Sequence, residues 1–481
     1  MKLKFYKKIL LMPFLLGILF LINPSTIKAD ETQTNEAVSV DFTINHSSSD
    51  TALVTDNSYK SSVKYLAGTS VNITTNTPIK GLYIKWYHNP SSEYTISYNQ
   101  KQISCGSKGF LHEYIALDEE TTEATINLTE DMRICEIVAL SDGKLPMQIQ
   151  NWEEPCTNPD MLVFSTHADD EILFLGGVLA TYGARDDVNL QVAYMCDFYQ
   201  SEPYREHEEL DGLWTVGLVH YPVKGNFYDY YCADYDAALK NYSYADVSAF
   251  VTEQIRKFKP TIVVTQDLNG EYGHGGHQLL AHCVAEAVDH SNDSSFNPES
   301  AAKYGTHDVL KTYLHLYGEN QITLNLRTPL SYLNNQTALD CCKEAYKKHE
   351  SQQYCWFYVD DEYEYSCAKF GLYRSLVGAD SNNDMLDNVS TKYEEELAKA
   401  EASKAEAAQS EALKANEKNT ETSDGKEART SKGLSLSVKQ ILSTLIALII
   451  IFIVIFFQFK RHEKEYNKRV KDYKNEHKDD K

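Results

Sequence analysis

Short runs in which apolar and polar residues alternate dominate the chain between residues 36 and 150. The runs SVNIT at 70–74 and GLYIKWY at 81–87 are examples, and turn-forming pairs such as Asn89-Pro90 and Asp142-Gly143 separate such runs. Alternation with a period of two is typical of strands that bury one face. The pattern therefore predicts an accessory domain at 36–150 with an antiparallel β-sandwich fold.

The pattern changes at residue 161, where continuous apolar runs begin to alternate with helical segments. The buried strands predicted from these runs are 161–166, 190–195, 218–223, 261–265 and 311–316. The helices predicted between them are at about 170–182, 203–216 and 246–258, with another after residue 277. Strands that alternate with helices form a mainly parallel sheet. We therefore expect an α/β, Rossmann-like domain at 158–392, with its functional site beyond the carboxyl ends of the strands.

Two apolar segments lie near the ends of the chain, outside both predicted domains. Residues 1–29 combine a basic start, a short apolar core and a small-residue exit, which is typical of a secretory signal peptide. The alternative is a first transmembrane helix. Residues 435–459 contain the uncharged run ILSTLIALIIIFIVIFF, which predicts a C-terminal transmembrane helix that holds the protein in the membrane.

The segments on either side of this helix predict the topology. Residues 393–434 are rich in Glu, Lys, Ala and Ser, which favours a solvated helix or charged spacer acting as a stalk. Residues 460–481 form a basic tail, and basic residues after a span favour the cytoplasmic side. We expect a single-pass type I protein of the cell membrane, with its catalytic domain outside the cell.

Charge and cysteine content narrow the classes of function. The chain has 46 Lys and Arg against 69 Asp and Glu, a net charge of -23, so it offers no basic face for nucleic acid. Its ten cysteines permit disulfides without demanding them, and Cys105 and Cys135 are a candidate pair. The absence of paired CxxC motifs argues against a structural zinc ribbon.

Two polar clusters follow predicted strands and carry the chemistry. HADDE at 167–171 follows the first strand of the α/β region, and GHGGH at 273–277 follows the strand at 261–265. A catalytic zinc usually takes three N or O ligands and keeps one position open. His167, Asp170 and His277 are the predicted ligands, and Asp169 is placed to accept a proton from water at the metal. Zinc is the expected cofactor, although such ligands also accept other divalent ions.

At these residues the chain resembles the LmbE/PIG-L-like N-acetylglucosaminyl deacetylases. HADDE resembles the His-Pro-Asp-Asp-Glu motif of that family, and DLNGEYGHGGH at 267–277 follows its pattern Asp-x-x-Gly-x-Tyr-Gly-His-x-x-His. An Arg-x-x-Glu at 205–208 and a His-x-Ser-Gln at 349–352 also match. Ala168 stands where the family usually has Pro, and Gly275-Gly276 stand where it frequently has Pro-Asp. The second change removes a carboxylate that could orient His274.

The resemblance implies roles that agree with the interpretation from the residues alone. His167, Asp170 and His277 are implied as zinc ligands and Asp169 as the general base. His274 is implied to stabilise the oxyanion or to protonate the leaving amine, and Arg205 to contact substrate hydroxyls. Arg205 and Glu208 could instead form a helical surface pair. For His349 and Gln352, a structural hydrogen bond and a contact at the rim of the site are both open.

The predicted function is zinc-dependent removal of acetyl groups from an N-acetylated amino-sugar glycan or glycoconjugate outside the cell. One alternative is an amidase that acts on a non-acetyl amide. Another is a surface glycan-binding or adhesion protein in which the same fold is inactive, because a fold does not fix a function.

Overall fold

A computed structural model of the protein describes residues 35–45 and 47–421. The predicted signal peptide, transmembrane helix and basic tail lie outside these residues. Among the described residues, no helix combines the length and the apolar character that a membrane span requires. The described residues divide into two units between residues 399 and 400, and the first unit contains both of the domains described next.

The first part of the chain folds into an eight-stranded antiparallel sheet, here called the accessory domain. Its elements are β1 (Ser39–Val40), β2 (Phe42–Ile44), α1 (Ser48–Leu53), β3 (Val63–Tyr65), β4 (Ser70–Trp86), β5 (Tyr94–Tyr98), β6 (Lys101–Cys105), β7 (His112–Asn127) and β8 (Met132–Leu140). The strand order is β1-β8-β4-β7-β5-β6, with β2 paired to β4 and β3 paired to β8. Alternate residues of β4, such as Val71 and Ile73, are fully buried, as the two-residue period predicts. The antiparallel strands are confirmed, and their arrangement as a two-layer sandwich stays a prediction.

The second part of the chain is a mixed α/β domain around a seven-stranded sheet. Its strands are β9 (Met161–Ser165), β10 (Leu190–Asp197), β11 (Val223–Tyr228), β12 (Ile262–Thr265), β13 (Lys311–His315), β14 (Gln321–Thr323) and β17 (Lys369–Ser375), and β15 (Pro329–Leu330) pairs with β16 (Gln336–Thr337) outside this sheet. Its helices are α2 (Asp170–Leu173), α3 (Gly176–Tyr182), α4 (Tyr204–Thr215), α5 (Tyr235–Asn241), α6 (Tyr244–Phe258), α7 (Gly275–His290), α8 (Pro298–Tyr304) and α9 (Ala338–Tyr346). These elements are followed by α10 (Lys392–Glu421), which continues into the second unit.

The mainly parallel sheet is confirmed. In the order β11-β10-β9-β12-β13-β17-β14, the first five strands are parallel, and β17 and β14 add an antiparallel edge. The chain extends the sheet from β9 to β10 on one side and later to β12 on the other. In doubly wound sheets, the gap where the strand order reverses is the usual place for a ligand. That gap lies between β9 and β12.

The predicted strand at 218–223 is wrong in position. The observed strand β11 begins at Val223, because residues just before it pair with another segment. The amide of Glu153 donates to Val219 O at 2.8 Å, and the amide of Tyr221 donates to Glu153 O at 2.9 Å. The apolar run therefore contributes buried side chains such as Leu218 before the sheet strand starts.

The charged segment after residue 392 is helical as far as it is described. Helix α10 runs from Lys392 to Glu421, which agrees with the solvated-helix alternative for that part of the segment. Its side chains from Glu394 to Glu411 are exposed, as expected from the scarcity of apolar residues. The role of this helix as a stalk stays a prediction.

All ten cysteines lie within the described residues, and all are free thiols. The candidate pair Cys105 and Cys135 is therefore wrong. Cys105 lies on β6 and Cys135 on β8, and three strands separate these two in the sheet. Neighbouring strands are about 4.8 Å apart, whereas the Cα atoms of a disulfide lie within about 7 Å.

A buried polar network joins the accessory domain to helix α4. This interface network consists of Tyr59, Lys85, His112 and Gln150 on one side and His207 and Asp211 of α4 on the other. Tyr59 donates to Asp211 at 2.5 Å, and its ring stacks on His207 with centroids 4.3 Å apart. His112 Nε2 and His207 Nδ1 share a hydrogen bond of 2.7 Å. Burial lowers the pKa of both histidines well below the usual value, so the network holds them as neutral rings.

Candidate active site

The two predicted motif loops meet at the gap between β9 and β12. HADDE leaves the end of β9, and the second motif begins two residues after β12 ends at Thr265. Parallel pairing of Val163 with Val264 aligns the carboxyl ends of the two strands. The amide of Thr166 donates to Gln266 Oε1 at 3.0 Å and ties the loops together. The sheet therefore brings residues about a hundred positions apart into one site.

Three side-chain atoms at this gap form a tight triangle. His167 Nδ1 lies 2.8 Å from Asp170 Oδ2, His277 Nε2 lies 3.0 Å from the same oxygen, and the two histidine nitrogens are 3.3 Å apart. Zinc bonds of about 2.0–2.1 Å in a tetrahedron separate ligand atoms by about 3.3–3.4 Å. The three predicted ligands therefore fit one zinc ion after a small expansion.

The surroundings of the triangle hold the carboxyl group of Asp170 in its anionic form. Burial alone would raise the pKa of Asp170, but His277 and His167 outweigh it and hold this pKa well below its usual value. The carboxylate of Asp170 is thus anionic. The nitrogens of His167, His274 and His277 also come within 4.8 Å of one another, so this group could hold a metal ion. A second group of this kind contains His167, Cys196 and Asp229.

A buried carboxylate behind His277 was missed by the sequence prediction. Glu271 accepts from His277 Nδ1 at 2.8 Å and from His315 Nδ1 at 2.6 Å. Burial opposes the anion, but the bonds from His277 and His315 lower the pKa of Glu271 to about 2. Such a carboxylate orients a ligating histidine and makes it a better donor to the metal. Glu271 lies inside the second motif at 267–277, so the sequence could have indicated that it belongs to the site.

Asp169 lies beside the triangle in a strained backbone conformation. Its φ of 123° is in a region that non-glycine residues rarely adopt, and its amide donates to Glu171 Oε2 at 2.7 Å. Burial and the neighbouring Asp170 raise the pKa of Asp169. Strain of this kind persists where surrounding contacts hold it, and it clusters at functional sites.

Arg205 reaches the site from α4 and does not form the surface pair with Glu208. Its guanidinium donates to Asp229 at 3.0 Å and lies 3.4 Å from Asp169 Oδ1. Glu208 instead accepts from the amide and hydroxyl of Ser351, at 2.9 and 2.6 Å. Asp229 was missed because it belongs to no motif. It follows directly on β11, however, at the same edge of the sheet as the two motif loops.

His274 is buried beside the triangle with one ring nitrogen unpaired. Its Nε2 accepts from the amide of Cys232 at 3.4 Å, whereas Nδ1 finds no hydrogen-bond partner among the described residues. Burial, His277 and His167 lower the pKa of His274 to about 2, so the ring is neutral. The unpaired nitrogen agrees with the loss of the usual carboxylate at Gly276.

The two ends of the His-x-Ser-Gln motif at 349–352 lie in different surroundings. His349 is fully buried, and its Nε2 lies 2.8 Å from Glu171 Oε1, behind the loop that carries Asp169. Gln352 lines the cavity in front of the site together with Ser351. His349 is therefore placed as structural support and Gln352 as a rim residue.

A cavity of about 630 Å³ opens in front of these residues. His167, Asp169, Asp170, Arg205 and His274 all contribute to its wall. Aromatic residues of the wall include Tyr231, Tyr272, Tyr354, Trp356 and Phe357. Tyr231 is 79% exposed, Tyr354 83% and Trp356 61%, so these rings present open faces at the mouth of the cavity.

Comparisons with known proteins place the first half of the α/β domain in one family. The family model described as PIG-L, GlcNAc-PI de-N-acetylase, matches residues 162–288. The curated 1D-myo-inositol 2-acetamido-2-deoxy-alpha-D-glucopyranoside deacetylase 1 of Catenulispora acidiphila is 25% identical over 188 residues, which cover 32% of this chain and 54% of that protein. The chain thus spans about half the length of this relative.

Solved structures show more distant similarity. The N,N'-diacetylchitobiose deacetylase of Pyrococcus horikoshii is 17% identical with a TM-score of 0.33, covering 40% of this chain and 70% of that chain. A deacetylase from the teicoplanin biosynthesis pathway is 18% identical with a TM-score of 0.26, covering 40% and 84%. TM-scores this low do not establish a common fold. The match to the PIG-L family model covers residues 162–288, which carry His167, Asp169, Asp170, Arg205, His274 and His277.

Proposed function

We propose that this protein is a zinc-dependent deacetylase that hydrolyses the acetamide of an N-acetylglucosamine unit in a glycan or glycoconjugate outside the cell. The observation that carries the proposal is the triangle of His167, Asp170 and His277, with the carboxyl group of Asp169 beside it at the wall of an open cavity. A bound zinc ion supplies Lewis-acid chemistry, since it polarises a carbonyl and lowers the pKa of water. The PIG-L family match and the deacetylase relative support the choice of an N-acetylated sugar.

The side chains of the chain account for the proton transfers. Asp169, with its raised pKa, accepts the proton of the attacking water and passes it to the nitrogen of the leaving amine. The hydrogen bond from the backbone N–H of Asp169 to Glu171 fixes the backbone at this residue, and the contact with Arg205 holds the Asp169 carboxylate in place. One residue thus acts first as base and then as acid.

His274 and Arg205 act on the sugar and on the developing charge. His274 contributes to the wall of the cavity, and its lowered pKa keeps the ring neutral. A neutral N–H donor stabilises the oxygen that gains negative charge in the transition state. Arg205 and Asp229, joined at 3.0 Å, offer donors and acceptors to sugar hydroxyls at the wall of the cavity.

The location of the reaction is proposed from the sequence alone. The signal peptide predicted at 1–29 and the transmembrane helix predicted at 435–459 would place the domain at 158–392 outside the cell, anchored to the membrane by its C-terminal side.

The test uses full-length protein loaded with zinc and oligomers of N-acetylglucosamine, and it measures the release of acetate and of primary amine. We expect turnover that a chelator abolishes and that zinc restores. Asp169→Asn should lower kcat/KM at least about 100-fold while zinc content and Tm stay unchanged. Asp186→Asn, an exposed carboxyl on the same domain, is the matched control and should keep wild-type activity.

Three results would point elsewhere. Full activity in the Asp169→Asn variant would contradict the proposed base. Hydrolysis of bulkier acyl groups without hydrolysis of acetyl groups would favour the amidase alternative. Glycan binding by the zinc-loaded protein, without turnover of any N-acyl sugar, would favour the binding-protein alternative.

A further inference from the structure

A second cavity, lined by residues of both domains, lies next to the active-site cavity. This interdomain groove has a volume of about 410 Å³. The active-site cavity and the groove share the wall residues Lys60, Tyr204 and Ser351. None of these three shared residues is buried, so a ligand that reaches from the first cavity to the second would pass over exposed or half-buried side chains.

Both domains contribute to the groove. The accessory domain provides residues 57–60, Lys85 and Gln148, and the α/β domain provides residues of α4 and the loop after α9, among them Lys348 and Glu350. Lys60 is the residue of the accessory domain that also lines the active-site cavity. The first domain is thus part of the surface that surrounds the catalytic residues.

The interface network fixes this segment relative to the catalytic helix. Tyr59, next to Lys60, is bound to Asp211 and stacked on His207, and both partners belong to α4. The same helix carries Tyr204 and Arg205 at its start. Lys60 lies 4.8 Å from the centre of the Tyr204 ring. The two walls of the groove are therefore already held in position, and a ligand can bind there without a prior movement of one domain toward the other.

The chemistry of the groove suits sugar units rather than an apolar ligand. Its exposed polar side chains include Asn57, Lys60, Gln148, Lys348 and Glu350, which offer both donors and acceptors. In the adjoining active-site cavity, the exposed faces of Tyr354 and Trp356 can stack against the C–H faces of pyranose rings. Sugar rings form many hydrogen bonds through their hydroxyl groups and present flat apolar C–H faces. They therefore match both the polar side chains and the exposed aromatic rings.

We infer that the interdomain groove is a subsite for the sugar units that neighbour the one being deacetylated, so that the substrate is a chain of N-acetylated amino sugars. The inference rests on the proposed function and names its substrate class. The accessory domain serves as one wall of the enzyme's binding cleft. Lys60 and Lys348 bind hydroxyl or acetamide oxygens of these neighbouring units.

The experiment measures binding by calorimetry, with full-length zinc-loaded protein carrying Asp169→Asn so that no substrate is consumed. The probes are N-acetylglucosamine and its β-1,4-linked trimer and pentamer. We expect the pentamer to bind at least about tenfold more tightly than the single sugar. Lys60→Ala and Lys348→Ala should each weaken pentamer binding roughly threefold to tenfold, the net effect of losing one ordinary hydrogen bond at an exposed site. Lys144→Ala, an exposed lysine of the accessory domain outside both cavities, should change nothing.

The outcomes separate this inference from the proposed function. A length preference that both groove variants reduce supports the subsite, even if the wild-type protein turns over none of the probes. Turnover by the wild-type protein, combined with affinities that do not depend on length, overturns the subsite and leaves the deacetylase standing. Equal losses for the single sugar and the pentamer in Lys60→Ala also overturn it.

Discussion

Gly275 is a residue at which the surrounding backbone leaves no room for a side chain, and its surroundings explain why the usual proline is absent there. A Cβ atom at Gly275 would lie 1.8 Å from the carbonyl oxygen of Asp234 and 2.4 Å from its carbonyl carbon. The amide of Gly275 also donates to Cys232 O at 2.8 Å, and a proline would lose this bond. The segment at 232–234 thus occupies the space that a side chain at residue 275 would need.

Two alanine substitutions in the second motif should therefore have very different effects on the free energy of unfolding. Gly275→Ala must displace backbone, and we expect it to lower the free energy of unfolding by about 2–4 kcal/mol. Gly276→Ala meets only the His274 ring at 3.2 Å and the Thr166 methyl group at 3.3 Å, and it gains helix propensity. Its effect should stay within about 1 kcal/mol. Chemical denaturation of both variants provides the measurement, and equal stabilities would contradict the steric argument.

Helix α4 is the element that connects chemistry to domain packing. At its start it carries Tyr204 and Arg205 at the wall of the active-site cavity, and it also carries His207 and Asp211 into the interface network. Residues three and four positions apart lie on neighbouring parts of a helical face. A change in the interface network is therefore transmitted to the catalytic wall by a single rigid element.

The variant Tyr59→Phe tests how much the interface network contributes to stability. It removes the hydrogen bond to the Asp211 carboxylate while keeping the ring that stacks on His207. Loss of a hydrogen bond to a charged group should lower the free energy of unfolding by about 1.5–3 kcal/mol. Tyr393→Phe, which alters an exposed tyrosine of α10, is the control and should have no effect. Differential scanning calorimetry would reveal the loss, and a wild-type Tm for Tyr59→Phe would contradict it.

For the molecule as a whole, the buried acid Glu136 makes stability depend on pH. Burial raises the pKa of Glu136 from 4.5 to about 7, although the amide of Ser58 donates to its carboxylate at 3.0 Å. The folded chain therefore binds this proton more tightly than the unfolded chain. The resulting stabilisation is complete below about pH 4.5 and is lost as the pH rises through about 7.

Glu136→Gln should remove this dependence, because glutamine is neutral at every pH. Between pH 5 and pH 8, the stability of the variant relative to wild type should rise by an amount on the order of 2 kcal/mol. Urea denaturation at several pH values measures the difference. A difference that stays constant over this range would contradict the role of Glu136.

The fold and the site were predictable to different extents. The two-residue period gave the antiparallel strands, and the alternation of strands and helices gave the parallel sheet. His167, Asp170 and His277 meet as predicted, because their motifs follow adjacent parallel strands. Asp229 was not predictable from a motif, since its role depends on β11 lying at the same sheet edge. The interface network joins residues about a hundred or more positions apart through neutral histidines, and no local pattern indicates such contacts.

The ten free cysteines of the described structure have consequences for stability and for reactivity. Without a covalent cross-link, the unfolded chain keeps its full entropy, and the native state depends only on noncovalent contacts. Burial raises the pKa of Cys105, Cys135 and Cys367 to about 12, so these thiols stay protonated and react slowly with oxidants. Oxidants and alkylating reagents therefore reach these three sulfur atoms only when the fold opens around them.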